Sequence, residues 1–411
     1  MTEVKGNVIV GQSGGPTAVI NSSLAGVYKT AKDRGANKVY GMVHGIQGLL
    51  DERYVDLSDH IKTDLDIELL KRTPSAYLGS CRFKLPEICD GREIYDKIFA
   101  ILDKLEIEYF FYIGGNDSMD TIKKLSDYSL LNGSKIRFMG VPKTIDNDLA
   151  ATDHTPGYGS AAKYIGSITK EVIKDGLVYD QQNVTILEIM GRNAGWLTGA
   201  AALAKCEDCE GPDMIFLPEI PFDVDAFMKK VADLHKVKKS VVVAVSEGVK
   251  LADGRYVCEL TDGIDFVDAF GHKQLTGSAT YLANVVSREL GCKTRAVEFS
   301  TLQRSASHLA SRVDINEAFM VGGAAVKAAD EGDSGKMVVI DRVSDDPYQC
   351  ATGIYDVHKI ANGEKLVPRN WITEDGTYVT EDFIDYVKPL IQGDYPSVMV
   401  NGIPRHLYMK E

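Results

Sequence analysis

The sequence predicts an α/β protein built from two doubly wound, three-layer αβα domains. The main observation is that short apolar runs alternate with stretches of helical periodicity along the chain. Several of the apolar runs end in glycine and polar residues, as strands do at the ligand-binding edge of an open sheet. A length of 411 residues is also sufficient for about two or three domains.

The chain is acidic, with 46 Lys and Arg against 59 Asp and Glu and a net charge of −13. This balance argues against non-specific binding to nucleic acid or to an anionic membrane. We find no signal peptide and no apolar run long enough to span a bilayer. Seven scattered cysteines then indicate a reduced, cytoplasmic setting. Cys206 and Cys209 are expected to be structural, because no second pair or histidine with zinc spacing accompanies them.

The predicted strands are the apolar runs Asn7–Gly11, Tyr109–Ile113, Ile136–Met139, Val184–Met190, Met214–Pro218, Ser240–Glu247 and Met337–Ile340. Apolar residues at helical spacing predict helices after the first strand and at Glu93–Leu105, Met119–Leu125, Leu197–Ala204 and Asp314–Ala329. The polar, glycine-dotted segment 249–281 is expected to be an insertion. Beyond Asp346 the tail is expected to be rich in loops, with Trp371 packed against the core.

The first strand leads into Gln12-Ser-Gly-Gly15 and then into a helix. Glycines at this place let backbone N–H groups approach an anion at the helix N-terminus. The stretch matches neither the dinucleotide-binding fingerprint nor the P-loop, so an ordinary tight turn is the alternative. The second strand leads into Gly114-Gly-Asn-Asp117, where Asn116 and Asp117 offer oxygens to Mg²⁺ beside a phosphate. The alternative is that Asp117 only caps the next helix.

The third strand leads into the most charged stretch, Pro-Lys-Thr-Ile-Asp-Asn-Asp over residues 142–148. The proline favours extended backbone before it, which places Lys143 and Thr144 beyond the carboxyl end of the strand. Asp146 and Asp148 point the same way if the loop is extended there. One carboxylate could then take a proton from a substrate hydroxyl while the other holds a metal. The alternative is a polar loop with capping aspartates and a solvated lysine, but three such strand ends in one chain favour function.

The second half of the chain adds residues suited to a phosphorylated sugar. Arg192 follows a predicted strand, and Arg295 and Arg304 lie nine residues apart. A guanidinium binds phosphate in a bidentate fork, and Glu247 could bond sugar hydroxyls. Taken singly, these arginines and Arg82 are more often surface residues.

Together the motifs resemble the 6-phosphofructokinase family, in the same order and over most of the chain. They are Ser13-Gly-Gly15, Gly79-Ser-Cys-Arg82, Gly114-Gly-Asn-Asp117, Pro142 to Asp148, Met190-Gly-Arg192, Glu247, Arg295 and Gln303-Arg304. The resemblance implies a phosphofructokinase-type fold and transfer of a phosphoryl group to the 1-hydroxyl of fructose 6-phosphate, with Mg²⁺, in a homodimer or homotetramer. The implied domains are a phosphoryl-donor domain (1–157, completed by roughly 303–345), a fructose 6-phosphate domain (158–302, with the insertion near 249–281) and a C-terminal extension (346–411).

Matched motif by motif, the resemblance makes Asp146 the general base and lets Thr144 hold the transferred group. Arg82 and Arg192 stabilise the migrating charge, which is where electrostatics contributes most. The resemblance also implies that Gly14, Gly15 and Lys143 bind the donor phosphates and that Asn116 and Asp148 bind the metal. The residues implied to bind the sugar phosphate are Thr144, Asp146, Met190, Gly191, Arg192, Glu247, Arg295, Thr301 and Arg304.

Asp117 and Lys143 indicate the donor. Members of the family that use ATP typically have glycine at both positions, whereas members that use pyrophosphate resemble this chain. An aspartate would crowd and repel the α-phosphate of a nucleotide, and a lysine can neutralise a leaving orthophosphate. The resemblance therefore implies reversible formation of fructose 1,6-bisphosphate from pyrophosphate. An ATP-dependent enzyme and a non-catalytic, sugar-phosphate-binding regulatory subunit are the alternatives.

Three positions depart from the usual pattern of the family. Asn116 stands where a magnesium-binding aspartate is usual. Asn183 stands where many members have an arginine that reaches the neighbouring subunit's 6-phosphate. Thr301 replaces the more common histidine or tyrosine before Leu-Gln-Arg.

Overall fold

The computed structural model describes residues 6–260, 275–360 and 363–409. The strands are β1 (Asn7–Gln12), β2 (Val39–Met42), β3 (Tyr54–Asp56), β4 (Ile107–Gly114), β5 (Arg137–Pro142), β6 (Asn183–Ile189), β7 (Met214–Phe216), β8 (Ser240–Ser246), β9 (Lys293–Glu298), β10 (Lys336–Asp345), β11 (Tyr348–Asp356), β12 (Met399–Val400) and β13 (Ile403–Pro404). The helices are α1 (Ile20–Asp33), α2 (Gly45–Leu50), α3 (Asp64–Arg72), α4 (Arg92–Lys104), α5 (Asn116–Asn132), α6 (Tyr158–Gly176), α7 (Trp196–Gly199), α8 (Val224–Leu234), α9 (Ser278–Leu290), α10 (Leu302–Ser305), α11 (Arg312–Glu331) and α12 (Glu381–Val387).

Seven strands form the first sheet in the order β11-β10-β5-β4-β1-β2-β3. The five inner strands run parallel, and only the two edge strands are antiparallel to their neighbours. Apolar residues of α1 and α11 bury one face of this sheet, and those of α4 and α5 bury the other. Burial on both faces explains why the central strands are nearly continuous apolar runs.

Four parallel strands form the second sheet in the order β7-β8-β6-β9. Helix α6 and the start of α7 cover one face, and α8 and α9 cover the other. Each sheet therefore lies between two layers of helices, which confirms the predicted fold class. No helix within the described ranges is long and apolar enough to cross a lipid bilayer.

The tail is more regular than predicted. Strand β11 pairs antiparallel with β10 and forms an edge of the first sheet, so the expectation of a loop-rich tail is wrong for residues 348–356. The strand escaped prediction because most of its side chains are exposed and it contains no apolar run. Helix α12 buries Phe383 against Trp196, with ring centroids 5.9 Å apart. Trp371 contacts Trp196 edge-on at 6.0 Å, which confirms its predicted packing.

The predicted insertion at 249–281 is only partly within the described residues, because 261–274 lie outside them. The last residues of the segment form the first turn of α9, and the apolar side chains of α9 pack in the core on one face of the second sheet. The other predicted strands and helices are found with shifted boundaries. The helix predicted at Leu197–Ala204 is the short α7 followed by a 3-10 helix at Ala200–Ala204, and α5 extends to Asn132.

Candidate active site

The turn between β1 and α1 is fixed by contacts to residues 78–81. Gly14 has φ +75°, a region that glycine adopts readily. Its carbonyl oxygen accepts a hydrogen bond from Ser80 Oγ (2.6 Å), and its N–H donates to the Cys81 carbonyl oxygen (3.2 Å). Gln12 Oε1 also accepts from the Leu78 N–H (2.9 Å). These bonds place the chain that leads to Arg82 beside the glycine turn.

Lys143 lies inside this turn and is only 2% exposed. Its Nζ donates to the Gly15 carbonyl oxygen at 2.6 Å, and its N–H donates to the Gly114 carbonyl oxygen at 3.0 Å. A Cβ on Gly14 would lie 3.3 Å from Nζ, so the turn leaves little space beside the ammonium. Burial lowers the pKa of Lys143 to about 8, although Asp146 opposes the shift. The alternative of a solvated lysine is therefore wrong.

The two carboxylates of the 142–148 stretch lie close together, but not for the reason predicted. Asn147 between them has φ +55°, so the backbone is not extended there. Burial raises the pKa of Asp146, while Lys143 opposes the change. Burial and then the nearby Asp146 charge raise the pKa of Asp148 to about 7. Thr144 Oγ1 donates to Asp146 Oδ2 at 3.4 Å and accepts from the Asp146 N–H at 3.1 Å.

Asn116 and Asp117 begin α5 at the end of β4. Asn116 Nδ2 donates to Asp148 Oδ2 at 3.3 Å. Its Oδ1 is buried and has no hydrogen-bond partner among the described residues. A buried acceptor that lacks a donor, next to a carboxylate, is a suitable place for a cation. Asp117 follows on the first turn and is partly exposed.

Loops of the second sheet complete the cluster. Glu247 follows β8, and its Oε1 lies 3.5 Å from the Gly191 backbone nitrogen, which donates to it. Burial and then the Asp146 charge raise the pKa of Glu247 to about 8. Burial and then the Arg82 charge lower the pKa of Arg304. Gln303, for which the motif gave no role, is 2% exposed, and its Oε1 accepts from the Met190 N–H at 3.2 Å.

The structure thus brings together most of the predicted site residues from both sheets. Electrostatic contacts join Asp146 to Arg192 and Arg304, and Arg82 to Lys143 and Arg304. The assembled residues are Gly14, Gly15, Arg82, Asn116, Lys143, Thr144, Asp146, Asp148, Met190, Gly191, Arg192, Glu247 and Arg304. Thr301 is exposed. Its carbonyl oxygen accepts a hydrogen bond from the Arg304 N–H at 3.2 Å, so Thr301 begins the turn that carries Arg304.

Arg295 is not part of this cluster. It lies on β9, directly opposite Thr185 of the neighbouring strand β6. Thr185 precedes Met190 of the cluster by five residues, and five residues of a strand span roughly 16 Å. Arg295 forms an ion pair with Asp175 at 2.5 Å, and its side chain is 41% exposed. Asn183 lies at the same end of the second sheet, where its Oδ1 accepts from Ser240 Oγ at 3.0 Å.

Three residues around the 142–148 stretch were missed by the sequence analysis. They are Asn147, whose side chain is fully buried, and Lys365 and Tyr386 from the tail, which contact the same loop. An asparagine between two aspartates was a usable signal, because asparagine tolerates positive φ better than most residues. No local pattern marked the two tail residues.

Comparison with known proteins agrees with this geometry. The family model described as phosphofructokinase matches residues 7–329. The chain is 40% identical over 403 residues to a pyrophosphate--fructose 6-phosphate 1-phosphotransferase of Halomonas elongata, covering 97% of this chain and 95% of the relative. It is 41% identical over 408 residues to a protein of the same name from Xanthomonas campestris pv. campestris, covering 98% and 96%.

Among solved structures, the pyrophosphate-dependent phosphofructokinase from Nitrosospira multiformis superimposes with a TM-score of 0.87. The two chains are 38% identical, and the match covers 97% of this chain and 95% of the other. This agreement extends over both sheets and the tail, so it is a likeness of the whole chain. The chain therefore belongs to the phosphofructokinase family.

Proposed function

We propose that this protein catalyses the reversible transfer of a phosphoryl group from pyrophosphate to the 1-hydroxyl of fructose 6-phosphate. The observation that carries the proposal is the buried ammonium of Lys143, 2.6 Å from the Gly15 carbonyl oxygen in the glycine turn. A compact cation at this place neutralises a phosphate directly, without a nucleoside to anchor the donor. The names of the Halomonas and Xanthomonas relatives support the same donor and acceptor.

Asp117 supports the choice of donor. Its carboxylate stands on the first turn of α5, beside the metal-binding candidate Asn116 and at the end of the strand next to β1. A negative charge at this place repels the additional phosphate that a nucleoside triphosphate carries. Pyrophosphate lacks this additional phosphate and therefore avoids the repulsion.

In the proposed reaction, Asp146 accepts the proton of the 1-hydroxyl while that oxygen bonds to the phosphorus. The bond between the same phosphorus and the bridging oxygen of pyrophosphate breaks, and orthophosphate leaves. Lys143 and Arg192 both interact with Asp146 and favour its charged form, which a base requires. The same cations, with Arg82, stabilise the charge spread over the transferred group.

Mg²⁺ fits the place formed by Asn116 and Asp148. Both offer oxygens, which Mg²⁺ prefers, and Asn116 Oδ1 is a buried acceptor without a hydrogen-bond partner among the described residues. Within the described ranges, no group of three or more His, Cys, Asp or Glu side chains could hold a metal ion. The ion would therefore be shared between Asn116, Asp148 and the donor phosphates, whose charge it neutralises when bound.

We further propose a homodimer or homotetramer in which Arg295 serves a second subunit, because it lies far from the cluster in its own chain. The adjacent Leu177, Val178 and Tyr179 are 60%, 67% and 50% exposed, which supports an interface at this end of the second sheet. A cytoplasmic setting is part of the proposal, and it is supported by seven free cysteines.

A donor assay tests the proposal. The purified protein is incubated with fructose 6-phosphate and either pyrophosphate or ATP, while the magnesium concentration is varied. We expect turnover with pyrophosphate that requires magnesium. Turnover with ATP and none with pyrophosphate would contradict the proposed donor. Calorimetric binding of fructose 6-phosphate without turnover on either donor would indicate a non-catalytic subunit.

A further inference from the structure

Asn147, between the two site carboxylates, is fully buried with φ +55°. Although asparagine tolerates positive φ better than most residues, the conformation still costs energy relative to a negative φ, and contacts of the side chain help to hold it. Two hydrogen bonds do so here. Asn147 Oδ1 accepts from the Thr155 N–H at 3.0 Å, and Nδ2 donates to Tyr386 Oη at 2.9 Å. The backbone that carries Asp146 and Asp148 is therefore held in part by a residue of the tail.

The Tyr386 hydroxyl is fully used by this arrangement. It donates to the Asp153 carbonyl oxygen at 2.7 Å, and it accepts from Asn147 Nδ2 and from Lys365 Nζ at 3.5 Å. Burial raises the pKa of Tyr386, so the hydroxyl keeps the proton that it donates. The ring is fixed against Trp196, with centroids 5.2 Å apart. The hydroxyl is thus held in a fixed position next to the Asn147 side chain.

Lys365 contacts the loops of both sheets. On the side of the first sheet, its N–H donates to the Asp148 carbonyl oxygen at 2.8 Å, and its Nζ donates to the carbonyl oxygens of Thr152 and Asp153. On the side of the second sheet, its carbonyl oxygen accepts from Trp196 Nε1 at 2.7 Å. Its Nζ also lies 5.0 Å from the centre of the Trp196 ring.

The neighbours of Lys365 repeat this pattern. Glu364 forms a β-bridge with Leu149, and its Oε1 accepts from Asn193 Nδ2 at 2.7 Å. Asn193 directly follows Arg192. The segment 364–365 therefore connects the loop of Asp146 and Asp148 to the loop of Arg192, which lie on different sheets.

We propose that Lys365 and Tyr386 are positioning residues for phosphoryl transfer. They hold the loop of Asp146 and Asp148 at a fixed place relative to Arg192, and they act through Asn147 and Trp196 rather than by contact with substrate. The inference rests on the proposed function, because it concerns the geometry of that reaction. Small displacements of reacting groups cost large factors in rate, so a bridge between the two loops is expected to affect turnover more than binding.

The test compares Tyr386→Phe and Lys365→Met with the wild-type protein. The first change keeps the ring against Trp196 and removes the hydroxyl, and the second keeps the aliphatic stem and removes the ammonium. We expect kcat to fall roughly tenfold to a hundredfold in each variant, while KM for fructose 6-phosphate changes less than about twofold. Tyr378→Phe is the matched control, because Tyr378 belongs to the same tail and lies near Gly211 instead. Its kcat should match that of the wild type.

A double substitution separates positioning from general loss of structure. Asn147→Gly keeps the positive φ available and removes the side chain that Tyr386 holds. If Tyr386 acts through Asn147, the Asn147→Gly Tyr386→Phe protein should have the kcat of Asn147→Gly alone. Additive losses, unchanged kcat in Tyr386→Phe, or a kcat loss equal to that of Tyr378→Phe would overturn the proposal. If Tyr386→Phe does not fold, the kcat of Lys365→Met compared with that of Tyr378→Phe decides.

The outcome is independent of the donor. If the wild-type protein turns over ATP and not pyrophosphate, the proposed donor fails, and the same variants are compared with ATP. Positioning is then supported or overturned by the same kcat and coupling criteria. Absence of turnover with either donor would overturn both proposals.

Discussion

The ammonium of Lys143 lies 2.6 Å from the carbonyl oxygen of Gly15, inside the turn that connects β1 to α1. The side chain comes from the end of β5, two strands away in the first sheet. It therefore places a positive charge where the phosphate end of a donor would meet the glycine turn.

Asp146→Asn should reduce kcat by a factor of roughly 10² or more, because the amide cannot accept the hydroxyl proton. Fructose 6-phosphate should still bind, since Glu247, Arg304 and Met190 are unchanged. Steady-state kinetics and calorimetry together provide the check. Near-normal turnover would remove Asp146 from the role of base.

Lys143→Met should lower kcat/KM for pyrophosphate by roughly ten- to a hundredfold. The change keeps the buried stem and removes a charge-assisted interaction worth about 1.5–3 kcal/mol. Calorimetric affinity for fructose 6-phosphate serves as the internal control and should be unchanged. Pyrophosphate kinetics equal to those of the wild type would disprove the role of the ammonium.

The kcat/KM for pyrophosphate should pass through a maximum between about pH 7 and pH 8. It rises as Asp148, whose raised pKa is about 7, loses its proton and can hold a cation. It falls as Lys143, whose lowered pKa is about 8, loses its positive charge.

Lys143→Arg is the control for this profile. Pyrophosphate itself titrates equally in both assays, so the difference between the two profiles isolates Lys143. The variant should keep the acid limb and lose the alkaline limb, because arginine stays charged. An alkaline limb that persists in Lys143→Arg would mean that another group causes it.

His154→Gln should lower the free energy of unfolding by roughly 3 kcal/mol at pH 6, because it leaves the carboxylate of Glu317 buried without a cation. His154 Nε2 lies 2.6 Å from Glu317 Oε2, and Nδ1 lies 2.8 Å from Asp153 Oδ1. Burial lowers the pKa of His154, but these two carboxylates outweigh burial and raise it above its usual value. The stabilisation is therefore complete below about pH 6.5 and is lost as pH rises through the raised pKa.

Urea unfolding at pH 6 and pH 9 measures this effect. His358→Gln is the matched control, because His358 also lies between two aspartates but is 43% exposed, and its loss should cost less than about 1 kcal/mol. Equal losses for His154→Gln at both pH values would contradict an imidazolium between the two carboxylates.

Much of the fold was predictable because buried parallel strands appear in the sequence as apolar runs that end at the site. The runs at β1, β4, β5, β6 and β8 were all found in this way. In the two sheets, β2, β3, β9 and β11 were not. Strand β2 is only four residues long, and β3, β9 and β11 lie at sheet edges and consist of exposed and partly buried residues. Edge strands carry little apolar signal, so their place depends on tertiary contacts.

The site was predictable where its residues follow strand ends within a short motif, as Lys143 and Asp146 do. Spacing alone did not show where Arg295 lies, because the rest of β9 and a turn separate it from Arg304 and take the two guanidinium groups to different places in this chain. Lys365 and Tyr386 were invisible for a different reason. Each reaches the 142–148 loop across more than two hundred residues of sequence, and no local pattern records such a contact.

The most direct test of the central claim is the ratio of kcat/KM for pyrophosphate to kcat/KM for ATP. It is measured in the wild-type protein and in the double variant Asp117→Gly Lys143→Gly. We expect a ratio far above one in the wild-type protein and a large fall in the double variant, because the charge that selects the smaller donor is gone. A wild-type ratio below one, or a ratio that the double substitution leaves unchanged, would contradict the account.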